Sequence, residues 1–393
     1  MMIINLIIAL AVVAVAGNAA LYCAAGEAVR ARMAAKIFWS AEMLLALLSP
    51  LTLVMCVVSG AVMTDDWLFL AAAFVLCLVY VPLLLFAVIY WVLVFPLRRL
   101  GGWRRAMTAG ASATALAMAA AIIYGAAVGV RRIEVKRVVV ESSRLPKAFD
   151  GMRIVQISDL HLGSLQHYPG VVSDMVESVN HLRPDIVCFT GDLVNSRSAE
   201  AWPFIGELAK LRARYGVFAV MGNHDYGHYN REWRTEAERE ADVDRLQSYE
   251  AQMGWTMLNN AHTVIRAAGG DSIVVAGVEN WGERQFGQQG RLSEALAGAE
   301  GEAYTLLLSH NPHHWRAEVL PDSSVDLMLA GHTHAMQLEI LGFSPSELFY
   351  PEWSGLYREG ERALYVNVGL GFVGYPIRIG ARPEVTLIEL KAQ

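Results

Sequence analysis

The first 130 residues of this chain contain long apolar runs that are almost free of charge. A helix needs about 20 apolar residues to cross the hydrocarbon core of a bilayer. Four runs reach this length, and they cover residues 3–25, 37–62, 67–95 and 107–130. Glu42 is the only charged residue well inside any of them. Because helices of a soluble core show polar faces that these runs lack, we predict a membrane region with four transmembrane helices over residues 1–132.

The charges of the short loops between these runs predict the orientation of the membrane region. Lys and Arg collect in the loops at 26–36 and 96–106, whereas the loop at 63–66 carries two aspartates and no base. Loops rich in Lys and Arg stay on the cytoplasmic side, so the C-terminal part is expected outside the cytoplasm. The opposite orientation is favoured by four bases that directly follow the fourth run, Arg131, Arg132, Lys136 and Arg137. On balance we expect a multi-pass membrane protein with an extracytoplasmic domain.

The remaining residues form an acidic, ordinary globular sequence. The chain carries a net charge of −6, and its first 130 residues hold seven Lys or Arg and four Asp or Glu, so the remainder carries −9. An acidic domain lacks the basic surface that nucleic acids require, so nucleic-acid binding is not expected. Of the four cysteines only Cys188 lies in this part, which excludes an internal disulfide or thiolate metal cluster there.

From about residue 133 onward, short apolar runs alternate with helical stripes. Strands are predicted at 153–157, 185–189, 217–221, 263–266, 272–278, 304–309, 325–330, 363–367 and 384–390. Helices are predicted over 171–182, 199–213, 231–253, 291–299 and 312–319. Strands that alternate with helices indicate a layered α/β domain, here spanning residues 133–393.

Polar residues that are able to do chemistry follow five of these predicted strands. They stand as SDLH at 158–161, TGD at 190–192, GNHD at 222–225, SHN at 309–311 and GHTH at 331–334. Ligand sites of α/β sheets form at the carboxyl ends of strands. A single Asp in such a place is as often a helix cap, and a lone His is more often structural. Five such ends in one chain favour a single joint site.

The strand ends supply seven candidate metal ligands, all with oxygen or nitrogen donors. They are Asp159, His161, Asp192, Asn223, His310, His332 and His334. Seven ligands are too many for one first-row ion with open positions, and they suit two ions that share a bridging carboxylate. Two ions about 3.5–4 Å apart can clamp the attacking and leaving oxygens of a phosphoryl transfer. The mixed donor set fits Mn, Fe or Zn better than Ca or Mg.

The order of these blocks resembles the calcineurin-like metallophosphoesterases. In this chain the blocks are DLH at 159–161, GDLVN at 191–195, GNHD at 222–225, SHNP at 309–312 and GHTH at 331–334. The resemblance covers about residues 153–390. The tail, with GLY at 355–357, LYVN at 364–367 and GLG at 369–371, looks like the membrane-anchored phosphodiesterases of that family. The resemblance implies a four-layer α/β/β/α sandwich and hydrolysis of phosphomonoesters or phosphodiesters by a metal-bridging hydroxide.

The resemblance also implies roles that the spacing alone leaves open. The ligands would be Asp159, His161 and His334 for one divalent ion, and Asn223, His310 and His332 for the other. Asp192 would bridge the two ions. His224 would donate a proton to the leaving oxygen or stabilise the charge of the transition state, and Asp225 would orient its ring.

The chain departs from the pattern of the family that it resembles directly after the last histidine. Many members carry Gly-Gly there, whereas this chain has Ala335 and Met336, followed by the apolar stretches 338–343 and 348–353. Two interpretations stay open. The stretches form either a hairpin packed on the core or an apolar rim that receives the tail of a lipid-linked or envelope phosphate. His228 and Met336 are candidate substrate contacts.

Two other functions compete with that of a membrane-anchored phosphoesterase. The first is a membrane sensor or scaffold whose phosphoesterase-like domain binds metal without catalysis. A phosphoesterase-like domain without activity is expected to lack a metal ligand or His224. This chain has all seven ligand candidates and His224. The second is a transporter, whose path is usually marked by more than one intramembrane ionisable residue. The sequence therefore favours an enzyme that acts on a phosphoester.

Overall fold

The computed structural model describes residues 13, 16–25, 67–99, 103–230, 232–282, 288–299, 304–323 and 325–393. These residues divide into two compact units. The first unit holds the described residues up to Ala127 together with Gly374–Ile377. The second holds Val128–Val373 and Arg378–Gln393.

The described part of the first unit is mainly helical. Helix α1 spans Trp67–Ile89 and continues in a π-helical turn to Val94, and α2 spans Trp103–Tyr124 and continues in a second π-helical turn to Gly129. The two helices pack on each other through a small apolar cluster that includes Phe86, Tyr90 and Ala111.

Among the described residues, two helices are long and apolar enough to cross a membrane, as judged by length and composition. They are Ala73–Val94 and Arg105–Gly129, which overlap the predicted transmembrane segments 67–95 and 107–130. The predicted helix 37–62 lies outside the described residues. Of the predicted helix 3–25 only residues 13 and 16–25 are described, and 16–24 are helical.

Twelve strands are described in the second unit. In chain order they are β1 (Glu134–Ser142), β2 (Arg153–Ile157), β3 (Ile186–Phe189), β4 (Val217–Ala219), β5 (Trp255–Met257), β6 (Ala261–Arg266), β7 (Ser272–Gly277), β8 (Thr305–Leu308), β9 (Leu327–Ala330), β10 (Gly355–Glu359), β11 (Arg362–Val366) and β12 (Glu384–Ala392). They form two six-stranded sheets, one in the order β1-β12-β2-β3-β4-β5 and one in the order β10-β11-β9-β8-β7-β6.

Both sheets are mixed, with a parallel centre. Strands β2 to β5 run parallel, and β12 is antiparallel to β2. In the second sheet β7, β8, β9 and β11 run parallel, and the edge strands β6 and β10 are antiparallel to their neighbours. The parallel strands of each sheet therefore end at one common edge.

The two sheets pack face to face, and helices cover their outer faces. Ile154 and Phe218 of the first sheet share one buried apolar cluster with Leu306 of the second. The next residue, Leu307, points to the opposite face because side chains alternate along a strand, and it packs with Trp315. Strands buried on both sides need apolar residues at every position, which explains their continuous apolar runs.

Six α-helices are described in the second unit. They are α3 (Leu162–Leu165), α4 (Pro169–His181), α5 (Ile205–Leu208), α6 (Glu236–Gln252), α7 (Leu292–Leu296) and α8 (Leu320–Asp322), with a π-helical turn at Trp315–Val319 and 3₁₀ turns at Lys147–Phe149, Ser198–Glu200, Trp202–Phe204, His334–Gln337 and Pro345–Leu348. Helix α4 begins with proline at its first turn and buries Val172, Met175 and Val179 at helical spacing.

One helix prediction is wrong in part. The segment 199–213 contains only the four-residue helix α5, preceded by the 3₁₀ turns at Ser198–Glu200 and Trp202–Phe204. Pro203 and Gly206 interrupt the apolar spacing there, and both residues are unfavourable inside a helix.

All nine predicted strands are present, and the three strands that the sequence did not predict, β1, β5 and β10, lie at sheet edges. Edge strands have neighbours on one side only and need no continuous apolar run. In β1 exposed and half-buried residues alternate along most of its length. Its sequence, EVKRVVVES, therefore does not stand out by hydropathy.

Candidate metal centre

The polar residues after the strands converge at the common edge of the two sheets. Within each sheet, neighbouring strand ends are joined by backbone hydrogen bonds, from Asp159 N–H to the Gly191 carbonyl at 2.9 Å and from Gly331 N–H to the His310 carbonyl at 2.9 Å. Between the sheets, the backbone N–H of His332 donates to the Asp159 carboxylate at 3.1 Å. The strand ends that were predicted to form one joint site therefore meet.

Two clusters of side chains in the described part of the chain could hold a metal ion, and the first consists of Asp159, His161 and His334. All three are buried. Nε2 of His334 lies 3.1 Å from Oδ1 of Asp159 and 3.0 Å from Nε2 of His161. Donor atoms that converge on one point, with no sulfur among them, suit a first-row divalent ion.

The second cluster is formed by Asp192, His310 and His332. Three donor atoms surround Nε2 of His310: Oδ2 of Asp192 at 3.2 Å, Nδ1 of His332 at 3.1 Å and Oδ1 of Asn223 at 3.1 Å. The same Asp192 oxygen lies 3.6 Å from Nε2 of His161 in the first cluster. The carboxylate of Asp192 thus stands between the two clusters, in the position that a bridging ligand would need.

The other ring nitrogens of three histidines have partners that fix the rings. Nδ1 of His310 donates to the carbonyl of Thr190 at 2.7 Å. Nε2 of His332 lies 3.0 Å from the Tyr350 hydroxyl, and Nδ1 of His334 lies 3.0 Å from Nη2 of Arg378. Histidine ligands of metals usually donate from the outer nitrogen, as Nδ1 of His310 does and as Nε2 of His332 is able to do toward the Tyr350 hydroxyl. Nδ1 of His334 instead accepts from Arg378, because a guanidinium group only donates. The donor set itself fits two divalent ions.

Burial and mutual repulsion keep two of the histidines neutral. Burial and the neighbouring His224 hold the pKa of His161 well below its usual value, and burial and His310 lower the pKa of His332 to about 3. Burial also lowers the pKa of His310, but the charge of Asp192 outweighs it and raises this pKa to about 9. Neutral imidazole is the form that binds a metal, so His161 and His332 are ready to bind.

The backbone of the site is strained at the proposed ligands. Asp159, His161, Asp192, His332 and His334 all adopt left-handed conformations, with φ between 44° and 72°. Such conformations are uncommon for residues other than glycine, and they cluster at functional sites. Two glycines beside the ligands are tightly enclosed, because a Cβ on Gly222 would collide with Oδ1 of Asp192 and one on Gly331 would collide with Oδ2 of Asp159.

His224 lies beside both clusters and belongs to neither. Its backbone N–H donates to Oδ1 of Asp192 at 2.9 Å, and its Nδ1 donates to the carbonyl of Asn195 at 2.7 Å. The ring stacks on Tyr229 with centroids 4.2 Å apart and meets His161 edge-on at 4.8 Å. With Nδ1 engaged, only Nε2 is left to exchange a proton. Burial lowers the pKa of this ring.

The predicted role of Asp225 is corrected by the structure. Its carboxylate accepts four backbone N–H groups, those of Asp192, Leu193, Val194 and Gly222, at 2.8–3.1 Å. It therefore ties the loop after β3 to the loop after β4, and does not orient the ring of His224. The expectation was wrong because adjacent residues point in different directions, so a neighbour in sequence need not touch the ring.

The ring of His224 is oriented instead by Asn195. This residue ends the GDLVN block, and no role was predicted for it from the sequence. The backbone of Asn195 is fixed by Glu200, whose buried carboxylate accepts the N–H groups of Asn195 and Ser196. Nothing local in the sequence marks a backbone carbonyl as functional, so only the fold could reveal this contact.

The two candidate substrate contacts lie outside the clusters. His228 is exposed and stacks on Tyr226, with ring centroids 6.3 Å apart. Met336 follows His334 by two residues, and its side chain is 37% exposed. Their roles stay predictions. Tyr229 and Tyr350, which sequence reasoning missed, are closer to the clusters, since their hydroxyls contact Asn223 and His332.

Comparison with known proteins agrees with this geometry. Residues 152–336 match the family model described as calcineurin-like phosphoesterase. The Danio rerio transmembrane protein with metallophosphoesterase domain is 33% identical over 282 residues, which cover 68% of this chain and 60% of that protein. The uncharacterized metallophosphoesterase YkuE of Bacillus subtilis is 30% identical over 270 residues, 66% of this chain and 86% of that protein. A Bos taurus protein with the same name as the Danio rerio one is 32% identical, and the match covers 63% of this chain and 55% of that protein.

Proposed function

This chain belongs to the calcineurin-like metallophosphoesterase family, and from that premise we propose that it hydrolyses phosphomonoester or phosphodiester bonds with two divalent metal ions. The observation that carries the proposal is the pair of buried clusters that meet at Asp192. Phosphoryl transfer between two ions requires this arrangement of two adjacent donor sets.

The two ions would be held by the seven ligands that the family resemblance names. These are Asp159, His161 and His334 for one ion, Asn223, His310 and His332 for the other, and Asp192 for both. When bound, such ions lower the pKa of water toward neutrality and withdraw charge from the phosphate. We propose Mn, Fe or Zn, because imidazole nitrogens outnumber the oxygens in the set.

His224 would serve the leaving group. Its ring is held in place by the Asn195 carbonyl and the face of Tyr229, so Nε2 is fixed beside the clusters at no further entropic cost. In its doubly protonated form the ring would give the Nε2 proton to the departing oxygen and prevent the build-up of alkoxide charge, while the Nδ1 proton stays hydrogen-bonded to the Asn195 carbonyl. Asp225 would contribute indirectly, because it fixes the loop of Asp192 to the loop that carries His224.

Metal removal tests the proposed function directly. We expect full-length protein treated with EDTA to lose at least about 100-fold of its activity toward bis(4-nitrophenyl) phosphate or 4-nitrophenyl phosphate. Re-addition of Mn, Fe or Zn should restore hydrolysis better than Mg. The measurement is nitrophenolate release, with metal content determined by elemental analysis. Protein that carries two ions per chain and hydrolyses neither ester nor any other phosphoester would defeat the proposal.

The chain would be anchored in a membrane, with a membrane region at 1–132 and a phosphoesterase domain at 133–393. This is supported by the two apolar helices and by the names of the Danio rerio and Bos taurus relatives. The charge pattern of the loops supports four transmembrane helices and an extracytoplasmic domain.

The orientation is testable with reporters fused after Gln393. An alkaline phosphatase fusion, which matures only outside the cytoplasm, should be active, and a green fluorescent protein fusion should be dark if exported unfolded. The reverse pair of results would place the domain in the cytoplasm, as the four bases at 131–137 favour.

A further inference from the structure

We propose that an apolar rim beside the metal clusters inserts among the acyl chains of a lipid bilayer, and that the substrate is a phosphoester carrying such a chain. The rim consists of Met336, Ile340, Leu341, Phe343, Leu348 and Phe349. The inference rests on the proposed phosphoesterase function and names the substrate class of the same site.

The rim concentrates exposed apolar surface in one short segment. Leu341 is 102% exposed, Leu348 73% and Phe349 61%. Among the described residues from 134 to 393, large apolar side chains of comparable exposure occur elsewhere only at Val135, Val139 and Trp202. Contiguous exposed apolar groups are costly in water and mark a surface that binds an apolar partner.

The tip of the rim is a two-residue turn, Leu341-Gly342, whose conformation is usually adopted by residues other than leucine. Ile340 and Phe343 exchange both backbone hydrogen bonds, at 2.9 and 3.1 Å, around Leu341 and Gly342. Both central residues have positive φ, 54° and 80°, as in a type I′ turn. Asn, Asp or Gly usually occupies the first central position, since leucine is strained there. Here a leucine is held in that strained position and fully exposed, which indicates that an apolar tip is needed.

Two serine hydroxyls within the rim segment hydrogen-bond to the loop that carries His332 and His334. The Ser344 hydroxyl donates to the carbonyl of Ala335 at 2.6 Å, and the Ser346 hydroxyl donates to the carbonyl of Thr333 at 3.3 Å. Tyr350, which follows the rim, contacts Nε2 of His332. An acyl chain lying along the rim would therefore end close to the two clusters, where its phosphate could be cleaved.

The apolar helices of this chain favour a lipid over a protein as the partner of the rim, because they would hold the chain at a membrane. The helix that is able to span a membrane ends at Gly129, and β1 begins at Glu134. Five residue steps reach at most about 18 Å, so the domain stays near the bilayer if this helix crosses it. The segment 336–349 carries two acidic residues, Glu339 and Glu347, and no base, so its affinity would come from apolar contact.

A chain-length series tests the inference through activity. Full-length protein in lipid nanodiscs would be given 4-nitrophenyl methyl phosphate and 4-nitrophenyl octyl phosphate, which share one leaving group. We expect kcat/KM for the octyl ester to exceed that for the methyl ester at least about 100-fold, because each methylene that is buried on binding contributes favourable binding free energy. Leu341→Asn, which suits the turn, combined with Phe343→Ser should lower this ratio at least about tenfold. Val139→Ser, at an exposed apolar position on β1, should keep the wild-type ratio.

A second readout does not need activity. With Cys23, Cys56 and Cys77 replaced by alanine, a bimane label on Leu341→Cys should be quenched by lipids that carry a nitroxide on the acyl chain. The same label on Asp271→Cys, in the exposed turn between β6 and β7, should not be quenched.

The outcomes separate the two proposals. The proposal that the rim inserts into the bilayer is overturned if quenching is equal at positions 341 and 271. It is also overturned if the Leu341→Asn, Phe343→Ser variant keeps the octyl preference. Quenching at position 341 without hydrolysis of either ester supports the rim and counts against the phosphoesterase function. Hydrolysis of the methyl ester with no octyl preference supports the enzyme and overturns the lipid substrate.

Discussion

Asp192→Asn should lower kcat/KM for bis(4-nitrophenyl) phosphate by about 1,000-fold or more, since it removes the one charge that both metal clusters share. Oδ2 of Asp192 lies 3.2 Å from Nε2 of His310 and 3.6 Å from Nε2 of His161. Asparagine keeps the shape and one oxygen, so the loss would reflect the charge. The metal content should fall as well, because a neutral amide bridges two cations poorly.

The control for this experiment is Asp271→Asn, which changes an equally acidic but exposed residue at the turn between β6 and β7. It should keep both metal content and activity. If Asp192→Asn retained two ions and wild-type rates, the bridging role would be refuted, whereas loss of activity with the ions retained would assign Asp192 to catalysis alone.

His224→Gln should show a loss that depends on the leaving group. For a phosphoester with a poor leaving group, such as a methyl or phenyl ester, the expected loss is about 100- to 10,000-fold, because glutamine cannot donate a proton as a general acid. For 4-nitrophenyl esters the loss should be much smaller, since nitrophenolate departs without protonation. Metal content should stay constant, because His224 is in neither cluster.

His181→Gln is the matched control, since His181 is exposed at the end of α4. It should leave both substrates unaffected. An equal loss for good and poor leaving groups in His224→Gln would mean that His224 positions the substrate or stabilises charge rather than donating a proton.

Ala335 and Met336 are adjacent in the sequence but differ in exposure. Ala335 is buried and packs with Val368 and Ala381, which agrees with a segment packed on the core. Met336 and the residues beyond it include the exposed rim, which agrees with the other interpretation. The sequence left both open because the exposure of a side chain depends on which distant residues cover it.

The position of the candidate site and its seven ligand candidates could be predicted from local sequence patterns. This was possible because apolar runs mark buried strands, parallel strands end at one edge, and Asp, Asn and His follow five of those ends. The same reasoning could not find the edge strands β1, β5 and β10, whose residues are only partly buried in the sheet and lack that signal.

The groups that support the site come from segments far apart in the chain and could not be predicted in this way. Arg378 contacts His334 across 44 positions, and the N–H of His332 contacts Asp159 across 173. Asn195 orients His224 through a backbone carbonyl, an atom that every residue type carries. Such contacts depend on how separate loops are brought together by packing of the two sheets. No periodicity or motif within one segment encodes them, so they emerge only when the whole chain has folded.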